Sequence, residues 1–496
     1  MHRFDSGYFA VEDCLDYISK DTHRLDNTRI TAHSRPTMAG EASSDRASWI
    51  RVTVRLKVPA SIARADVLPL VERESPQLRA HVEFDRESGL LPIRLRSADP
   101  EFLERGGQFV VVSARVDPRY VATLRDSPYV DHVTRNARIE PFRELGVSLI
   151  QDDSAFATSV RVDCGTTVKA DGTAADVARA LGITKIRAAG FTGRGVVVGV
   201  VDGGITAYGR PVPVGAWSTI PQAPAVGEVI GGWPTAGWGT TAEGWGQHGN
   251  MIAFDVQTIA PEAELWDIRI WAPQAEFPDY LVNAGHGYRL AIDHYKAHGV
   301  PQILVNSWGL YDSANGPDYA FDPKSDMAVY VEEALDAGIL ILFAAGNCGD
   351  GCPFSPGTLC GFGNRGAGAS ILGPNGHPEV MTVGAATLRG DWYGYTSQGP
   401  AALPPNDPDK PDFCSISQFD GYFPNESGLR PYDGGTSAAT GIAAGVVALL
   451  KQARPDLTQE ECKRLLKDTA RPIKTPAAYG GAGAGVIDAL RAFRSL

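Results

Sequence analysis

The sequence predicts an α/β protein in which a parallel sheet with helices on both faces follows a small α+β domain. Two observations lead to this fold class. From about residue 179, short apolar segments without polar alternation are separated by segments of helical spacing. Apolar strands that alternate with helices are typical of a parallel sheet covered on both faces. Upstream, residues 48–142 repeat a strand–helix–strand pattern, which indicates a smaller α+β unit.

The composition is that of a globular protein and disfavours two kinds of partner. The 496 residues are 43% hydrophobic and 21% charged, and their net charge is -12. A negative net charge disfavours nucleic acid and an anionic membrane surface. The longest apolar runs, such as "GIAAGVVALL", are shorter than the ~18 residues that a membrane helix needs. We therefore expect neither nucleic acid nor a membrane as a partner.

The first residues and the cysteines bear on the cellular location. The start of the chain has neither the basic residues nor the unbroken apolar core of a secretory signal. Seven cysteines over so long a chain do not suggest a disulfide framework. We therefore expect a cytoplasmic protein. Residues 1–47 are mostly polar, and we expect them to form a flexible extension.

The small domain is predicted from residue 48 to residue 142. The segments "WIRVTVRLKV", "GQFVVVSARV" and "YVDHVTRNARI" have the alternation or β-branched content of strands. The segments "SIARADVLPLVER" and "PRYVATLRDS" have helical spacing and lie between the strands. A less regular segment, residues 143–178, is interpreted as a linker.

The large domain is predicted from residue 179 to residue 496. Its buried strands are predicted in "GVVVGVVDGG", "AELWDIRIW", "QILVNSWG", "GILILFAAGN" and "EVMTVGAA". Helices are predicted in "YLVNAGHGYRLAIDHYKAHG" and "MAVYVEEALDAG". Ligand sites of such sheets lie beyond the carboxyl ends of the strands, so polar residues at those ends are candidates for a site.

Four polar residues occupy such junctions, and each also has an ordinary structural interpretation. Asp202 and Asn347 end buried strands, where turn residues are common. His248 lies where a glycine-rich loop becomes a helix, and a single histidine there is often structural. Ser437 in "GGTSAATG" precedes an apolar run, so it could be a helix cap or a nucleophile at a helix N-terminus. Together they match the requirements of acyl transfer, which are a nucleophile, a base, an orienting carboxylate and an oxyanion donor.

Residues from about 179 to 496 resemble the subtilisin-like serine peptidases, the subtilases. "VVDGGI", "GQHGNMIA" and "GGTSAATG" resemble the family's aspartate, histidine and serine motifs, and "AAGN" resembles its oxyanion motif. The resemblance implies that Asp202 orients, His248 is the general base, Ser437 attacks and Asn347 donates to the oxyanion. The family's pattern is not matched everywhere, since Gly441 replaces its usual proline.

The resemblance also implies a substrate cleft and a regulated enzyme. "VNSWG" resembles the strand that pairs with bound substrate. The bulk of Trp308 is compatible with a shallow pocket and equally with core packing. Residues 48–142 are similar in pattern to the subtilase prodomain, which implies a zymogen whose own N-terminal domain is an intramolecular inhibitor. The implied partner is a protein or peptide substrate. The implied substrate-binding residues are Ser307, Trp308, Gly309, Ala345 and Gly346.

The sequence also bears on cofactors, metals and alternative functions. We predict no cofactor and no metal, since no acidic loop indicates a calcium site. Cys348, Cys352 and Cys360 are interpreted as structural or redox-sensitive thiols, while a zinc site and a disulfide within their loop stay open. Two functional alternatives stay open beside a serine endopeptidase. One is a catalytically silent binding module, and the other is a sedolisin-type acid peptidase.

Overall fold

The computed structural model describes nine parts of the chain. The predicted extension, residues 1–47, and the predicted linker, residues 143–178, fall largely outside them, and the predicted domain bounds stay predictions. Among the described residues, no helix is long and apolar enough to cross a bilayer. The described parts are residues 46–142, 170–210, 226–240, 245, 247–271, 279–350, 360–423, 432–473 and 481–496.

The N-terminal part is an antiparallel sheet with three described α-helices. Strands β2, β4, β1 and β5 lie side by side in that order, and β3 also pairs with β4. Its strands are β1 (Ile50–Pro59), β2 (Val82–Phe84), β3 (Leu91–Ile93), β4 (Gly107–Val116), β5 (Val130–Arg135) and β6 (Glu140–Pro141). Its helices are α1 (Arg64–Glu74), α2 (Pro100–Glu104) and α3 (Val121–Arg125).

The larger part is built on a seven-stranded parallel sheet of order β14-β13-β12-β10-β7-β9-β8. Its strands are β7 (Val197–Asp202), β8 (Val229–Trp233), β9 (Glu264–Arg269), β10 (Ile303–Asn306), β12 (Leu340–Ala344), β13 (Met381–Ala386) and β14 (Phe413–Ile416), and β11 (Trp308–Gly309) lies outside it. The helices are α4 (Ala174–Ala180), α5 (Ile183–Ala188), α6 (His248–Ile259), α7 (Asp279–His298), α8 (Pro317–Phe321), α9 (Asp326–Ala337), α10 (Gly435–Ala453), α11 (Gln459–Thr469) and α12 (Ala489–Arg494).

Helices cover both faces of this sheet, which confirms the predicted fold class. On one face, α6 and α10 share a hydrophobic cluster with β7, β10 and β12. On the other face, α7 and α9 form a second cluster with the opposite sides of the same strands. Because both faces are buried, the strands are apolar without alternation, which is the pattern that predicted them.

Two strands of the large sheet were not predicted. β8, at one edge, has the sequence VIGGW, and its two glycines give little strand signal. β14, at the other edge, has four residues and pairs with β13. Short edge strands have little apolar periodicity, so the sequence does not predict them.

Small residues let α10 pack closely against α6. A Cβ atom on Gly441 would lie 2.7 Å from Cβ of Asp255, and one on Gly445 would lie 2.6 Å from Cβ of Ile259. Both distances are shorter than a normal contact. A proline would not fit at position 441, because the two helices pack too closely there. The same close packing brings the start of α10 beside the start of α6.

The N-terminal sheet packs on α7 and α9 of the larger part. On the face of β1 opposite α1, Thr53 and Arg55 are buried. Thr53 donates a hydrogen bond to Asp326. Arg55 bonds to Oδ1 of Asp326 at 3.0 Å and to Oδ2 of Asp131 at 2.7 Å. The buried polar residues of β1 thus hold the small sheet on the large one.

Candidate active site

Ser437 lies inside the first turn of α10 and does not cap it. The helix begins at Gly435, and its N-cap is Gly434, which has no side chain to accept a hydrogen bond. The interpretation of Ser437 as a helix cap is therefore wrong. The first N–H groups of a helix have no intrahelical acceptor and carry a partial positive charge. The Ser437 hydroxyl is thus presented where negative charge would be stabilised.

Asp202 and His248 form a buried pair. Both carboxylate oxygens of Asp202 lie 2.9 Å from Nδ1 of His248. The backbone N–H of Gly203 also donates to Oδ1 of Asp202, at 2.7 Å. A carboxylate accepts from Nδ1–H, which leaves Nε2 as the unprotonated nitrogen of the neutral ring. Among the described residues, this Nε2 atom is buried without a hydrogen-bond partner.

The Ser437 hydroxyl is engaged by a segment of the N-terminal part. Oγ donates to the carbonyl oxygen of Phe142 at 2.7 Å and lies 3.0 Å from the carbonyl oxygen of Ser307. Ser437 and Phe142 are 295 residues apart in the chain. The hydroxyl therefore bonds to a peptide carbonyl in this state, and Nε2 of His248 accepts no hydrogen bond from it.

Asn347 completes the contact with the same carbonyl group. Its Nδ2 donates to the Phe142 oxygen at 2.9 Å. Its Oδ1 accepts from the backbone N–H of Thr436 at 3.0 Å and from the Thr436 hydroxyl at 2.8 Å. Because a backbone N–H requires an acceptor, Oδ1 faces Thr436 and the amide nitrogen faces Phe142. Thr436, which the sequence analysis missed, thus orients Asn347.

Strand β6 lies in the cleft as an extended peptide. It pairs antiparallel with β11, so that Pro141 is opposite Trp308 and Glu140 is opposite Gly309. The N–H of Phe142 then donates to the carbonyl of Ser307 at 3.0 Å. The backbone of the segment "VNSWG" therefore pairs with a chain that runs past Ser437.

The Trp308 side chain does not line a pocket. It is fully buried, and its Nε1 donates to the carbonyl of Val201 at 2.9 Å. Its ring packs edge-on against Phe343, with 5.7 Å between the centroids. The shallow-pocket interpretation is therefore wrong, because the side chain is part of the core and the backbone of Trp308 contacts the bound segment.

The Phe142 ring fills a pocket beside Asn347. The ring is 2% exposed and lies edge-on to Tyr311 at 5.1 Å between centroids. A Cβ atom on Gly346 would lie 3.4 Å from the ring, and one on Gly309 would lie 2.6 Å from it. The two glycines therefore leave room for a large apolar side chain. The backbone of Ala345 is bonded to the sheet instead, since its N–H donates to the carbonyl oxygen of Val383 at 2.9 Å.

A disulfide forms another wall of this pocket. Cys348 and Cys360 are joined by a disulfide, and both lie in the cluster that contains Phe142 and Tyr311. A disulfide within this loop was one of the alternatives that the sequence left open, and Cys348 and Cys360 form it. The disulfide also leaves neither thiolate as a zinc ligand. Cys352 lies outside the described residues.

Asp267 is a second residue that the sequence analysis missed. It lies on β9 beside β7, and its carboxylate accepts from the N–H of Ile205 at 3.1 Å and of Gly239 at 2.7 Å. It thus holds the turn that follows Asp202. Burial, the largest cause, raises the pKa of Asp267 to about 7. An aspartate within the apolar strand "AELWDIRIW" was the available signal.

Known proteins resemble the chain over the part that carries these residues. A model of the Subtilase family matches residues 193–485. Serine protease AprX of Bacillus subtilis (strain 168) is 29% identical over 319 residues, which are 60% of this chain and 66% of AprX. Subtilisin Savinase of Lederbergia lenta is 26% identical over 324 residues, which are 63% of this chain and 98% of Savinase.

A solved structure resembles the fold over most of the chain. The structure of fervidolysin from Fervidobacterium pennivorans, a keratinolytic enzyme related to subtilisin, superposes with a TM-score of 0.55 at 17% identity. The superposition covers 90% of this chain and 61% of the fervidolysin chain. This chain therefore spans less than two thirds of the fervidolysin chain.

Proposed function

Since the chain belongs to the subtilase family of serine peptidases, we propose that it is a serine endopeptidase that cleaves peptide bonds through a seryl acyl-enzyme. In this proposal Ser437 is the nucleophile and His248 is the general base. Asp202 holds the His248 ring, and Asn347 stabilises the oxyanion. Because no step uses a metal or a cofactor, the proposal needs only these side chains and water.

The proposed steps give each of the four side chains the role that it has in a serine peptidase. Oγ of Ser437 bonds to the substrate carbonyl carbon, and its proton passes to Nε2 of His248. Asp202, on Nδ1, stabilises the imidazolium that forms. Asn347 Nδ2 donates to the oxygen, which becomes negative. His248 then gives the proton to the leaving amine as the C–N bond breaks, and water releases the acyl group by the same route.

The Phe142 carbonyl carries the proposal. It accepts from Asn347 Nδ2 at 2.9 Å and from Ser437 Oγ at 2.7 Å. The N–H of the same residue donates to Ser307 at 3.0 Å. The proposed nucleophile and the proposed oxyanion donor thus both contact one peptide carbonyl group, which is the group that acyl transfer acts on.

The same contacts support an inhibited precursor. Strand β6 and Phe142 fill the acyl side of the cleft, and the rest of the N-terminal sheet packs on α7 and α9. A second peptide could not pair with β11 while β6 is in place. We propose that residues 48–142 inhibit the enzyme and that the first bond it cuts is Phe142–Arg143. The sequence alone left open a cut between residues 142 and 178.

The pocket around Phe142 also supports a substrate class. A buried phenyl ring fits among Tyr311, two glycines and a disulfide. We propose that the enzyme prefers a large apolar residue before the cleaved bond. A peptide library that varies this residue is the direct test, and a preference for a charged residue there would refute it.

Ser437→Ala tests the proposed function. The variant should keep the fold and lose turnover by a factor on the order of 10⁶, the size found for a subtilisin nucleophile. Labelling by a fluorophosphonate should occur at Ser437 in the unmodified chain and be lost in the variant. More than a few per cent of the hydrolysis in the pure variant would refute the nucleophile.

Two alternatives are decided by the same measurements. A silent binding module would neither hydrolyse peptides nor take the label. A sedolisin-type peptidase would work at acid pH with a glutamate as its base, whereas the buried pair of Asp202 and His248 supports a histidine base.

The cytoplasmic location stays a prediction. Disulfides persist in oxidising compartments and are rare in the cytosol, so the bond between Cys348 and Cys360 weighs against it. Cell fractionation with an antibody to the large domain is the direct test.

A further inference from the structure

Two aspartates meet in the core behind the proposed nucleophile. Asp255 lies on α6, the helix that begins at His248, and Asp433 lies just before α10. Both side chains are completely buried. Their carboxyl groups face each other within reach of a hydrogen bond. An ionised carboxylate only accepts hydrogen bonds, so the two groups can bond to each other only when one of them holds a proton.

The surrounding donors indicate which aspartate is charged. Oδ2 of Asp433 accepts from the N–H of Tyr422 at 2.7 Å, and Oδ1 accepts from the N–H of Phe423 at 2.9 Å. Neither oxygen of Asp255 has a donor among the described residues. Backbone N–H groups stabilise the ionised form, whereas burial without a donor stabilises the neutral form. The proton therefore lies on Asp255, which donates to Asp433.

The surroundings of the pair disfavour a second negative charge. Two described titratable groups, Asp420 and Tyr422, lie close to the pair, and both interact with Asp433. Within the described part of the chain, neither aspartate forms an ion pair with a cation. Burial and the neighbouring Asp433 raise the pKa of Asp255 well above its usual range. Burial raises the pKa of Asp433 to about 6.

The packing leaves no room to relieve such a charge. A Cβ atom on Gly421 would lie 2.0 Å from Oδ2 of Asp433, and one on Gly441 would lie 3.3 Å from Oδ2 of Asp255. Backbone atoms thus enclose the pair on both sides. Two like charges at this place would separate the elements that carry them, since a buried charge without a partner is costly.

The pair joins the two elements that carry the proposed base and nucleophile. Asp433 begins the turn that leads through Gly434 to Ser437, and Asp255 is part of the helix of His248. Tyr422 makes a parallel link: its N–H donates to Asp433 and its hydroxyl donates to Oε1 of Gln247 at 3.0 Å. The relative position of nucleophile and base therefore depends on this contact.

We propose that Asp255 and Asp433 are positioning residues, and that the proton they share holds the turn of Ser437 against the helix of His248. The proposal rests on the proposed function of those two residues. When the pH rises enough to remove this proton, the two carboxylates repel each other and the turn moves, so turnover falls. The proposed base loses activity on the acid side instead, because it must be unprotonated, so the two titrations are separable.

The test compares pH profiles of the full chain and its Asp255→Asn variant. An asparagine amide donates to Asp433 as the acid does but has no proton to lose in this range. In the unmodified chain, kcat for a peptide substrate should fall about tenfold per pH unit on the alkaline side, as for loss of one proton. In Asp255→Asn this fall should move up by at least about one pH unit, with KM changed by less than about threefold. An unmoved alkaline fall would overturn the proposal.

A control and a second readout keep the test decisive. Asp420→Asn removes a facing charge and leaves the shared proton in place, so its alkaline fall should persist. In Ser437→Ala at neutral pH, the infrared spectrum should contain a carbonyl band of a protonated carboxyl that disappears when Asp255→Asn is added, apart from the contribution of Asp267, whose pKa burial raises to about 7. Absence of that band would overturn the proposal without reference to activity. If the band is present but the unmodified chain hydrolyses no peptide, the proposed function is refuted and the shared proton is not.

Discussion

Phe142→Ala is expected to slow the self-processing of the chain. The Phe142 ring is 2% exposed and is enclosed by Tyr311, Gly309 and the disulfide. Phe142→Ala removes about 120 Å² of buried apolar surface. At about 25 cal/mol per Å², this surface contributes about 3 kcal/mol to holding the segment in the cleft. A difference of about 3 kcal/mol corresponds to a factor of roughly 10². Cleavage after residue 142 should therefore slow by up to about 10²-fold.

The assay follows the full chain after refolding from denaturant. Gel electrophoresis measures the rate at which the precursor disappears, and mass spectrometry identifies the new N-terminus, which we expect at Arg143. Phe142→Leu is the matched control, since leucine keeps an apolar side chain in the pocket and should process within a few-fold of the unmodified rate. Ser437→Ala should not process at all.

Two results would refute this reasoning. If Phe142→Ala is processed at the unmodified rate, then binding of the ring in the pocket does not contribute to the rate of cleavage after residue 142. If the mature chain starts elsewhere than at Arg143, then the contact between Phe142 and Ser437 is inhibitory and does not precede a cut.

Four further predictions follow from single contacts. Asn347→Ala should lower kcat by roughly 10²–10³ with little change in KM, as for a subtilisin oxyanion donor, and a change confined to KM would contradict the assigned role. Arg55→Ala leaves the buried carboxylate of Asp326 without its cation, so it should weaken the hold of the N-terminal domain by about 3–5 kcal/mol, measured as faster release of activity after processing. The double variant Cys348→Ser with Cys360→Ser should unfold more easily by about 3 kcal/mol, because the disulfide closes a short loop, yet should keep appreciable hydrolysis; a folded but inactive variant would indicate a catalytic role for the sulfurs. Because burial raises the pKa of Asp255 well above its ordinary value of 3.8, the stability that this group contributes is greatest below pH 3.8 and falls as the pH rises toward the folded-state value; denaturant titrations of Asp255→Asn should lack this slope of about 1.4 kcal/mol per pH unit.

The sequence by itself determined the architecture of the large domain. Strands such as β7, β10 and β12 are buried on both faces, so each is an apolar run in the sequence. Such a run can be identified as a strand without knowing which strands pair with it. Asp202 and Asn347 follow the carboxyl ends of two of these strands, and parallel strands end at the same edge of a sheet. Local patterns were therefore enough to predict that Asp202 and Asn347 lie at the same edge of the sheet.

Only the tertiary structure decided which side chains touch across the cleft and the core. Phe142 meets Ser437 although they are 295 residues apart, and no periodicity of either segment indicates that contact. The disulfide, the inward side chain of Trp308 and the pairing of Asp255 with Asp433 depend in the same way on how separate elements pack. A local pattern reports which face of an element is buried, whereas a contact between distant residues depends on the whole set of packed elements.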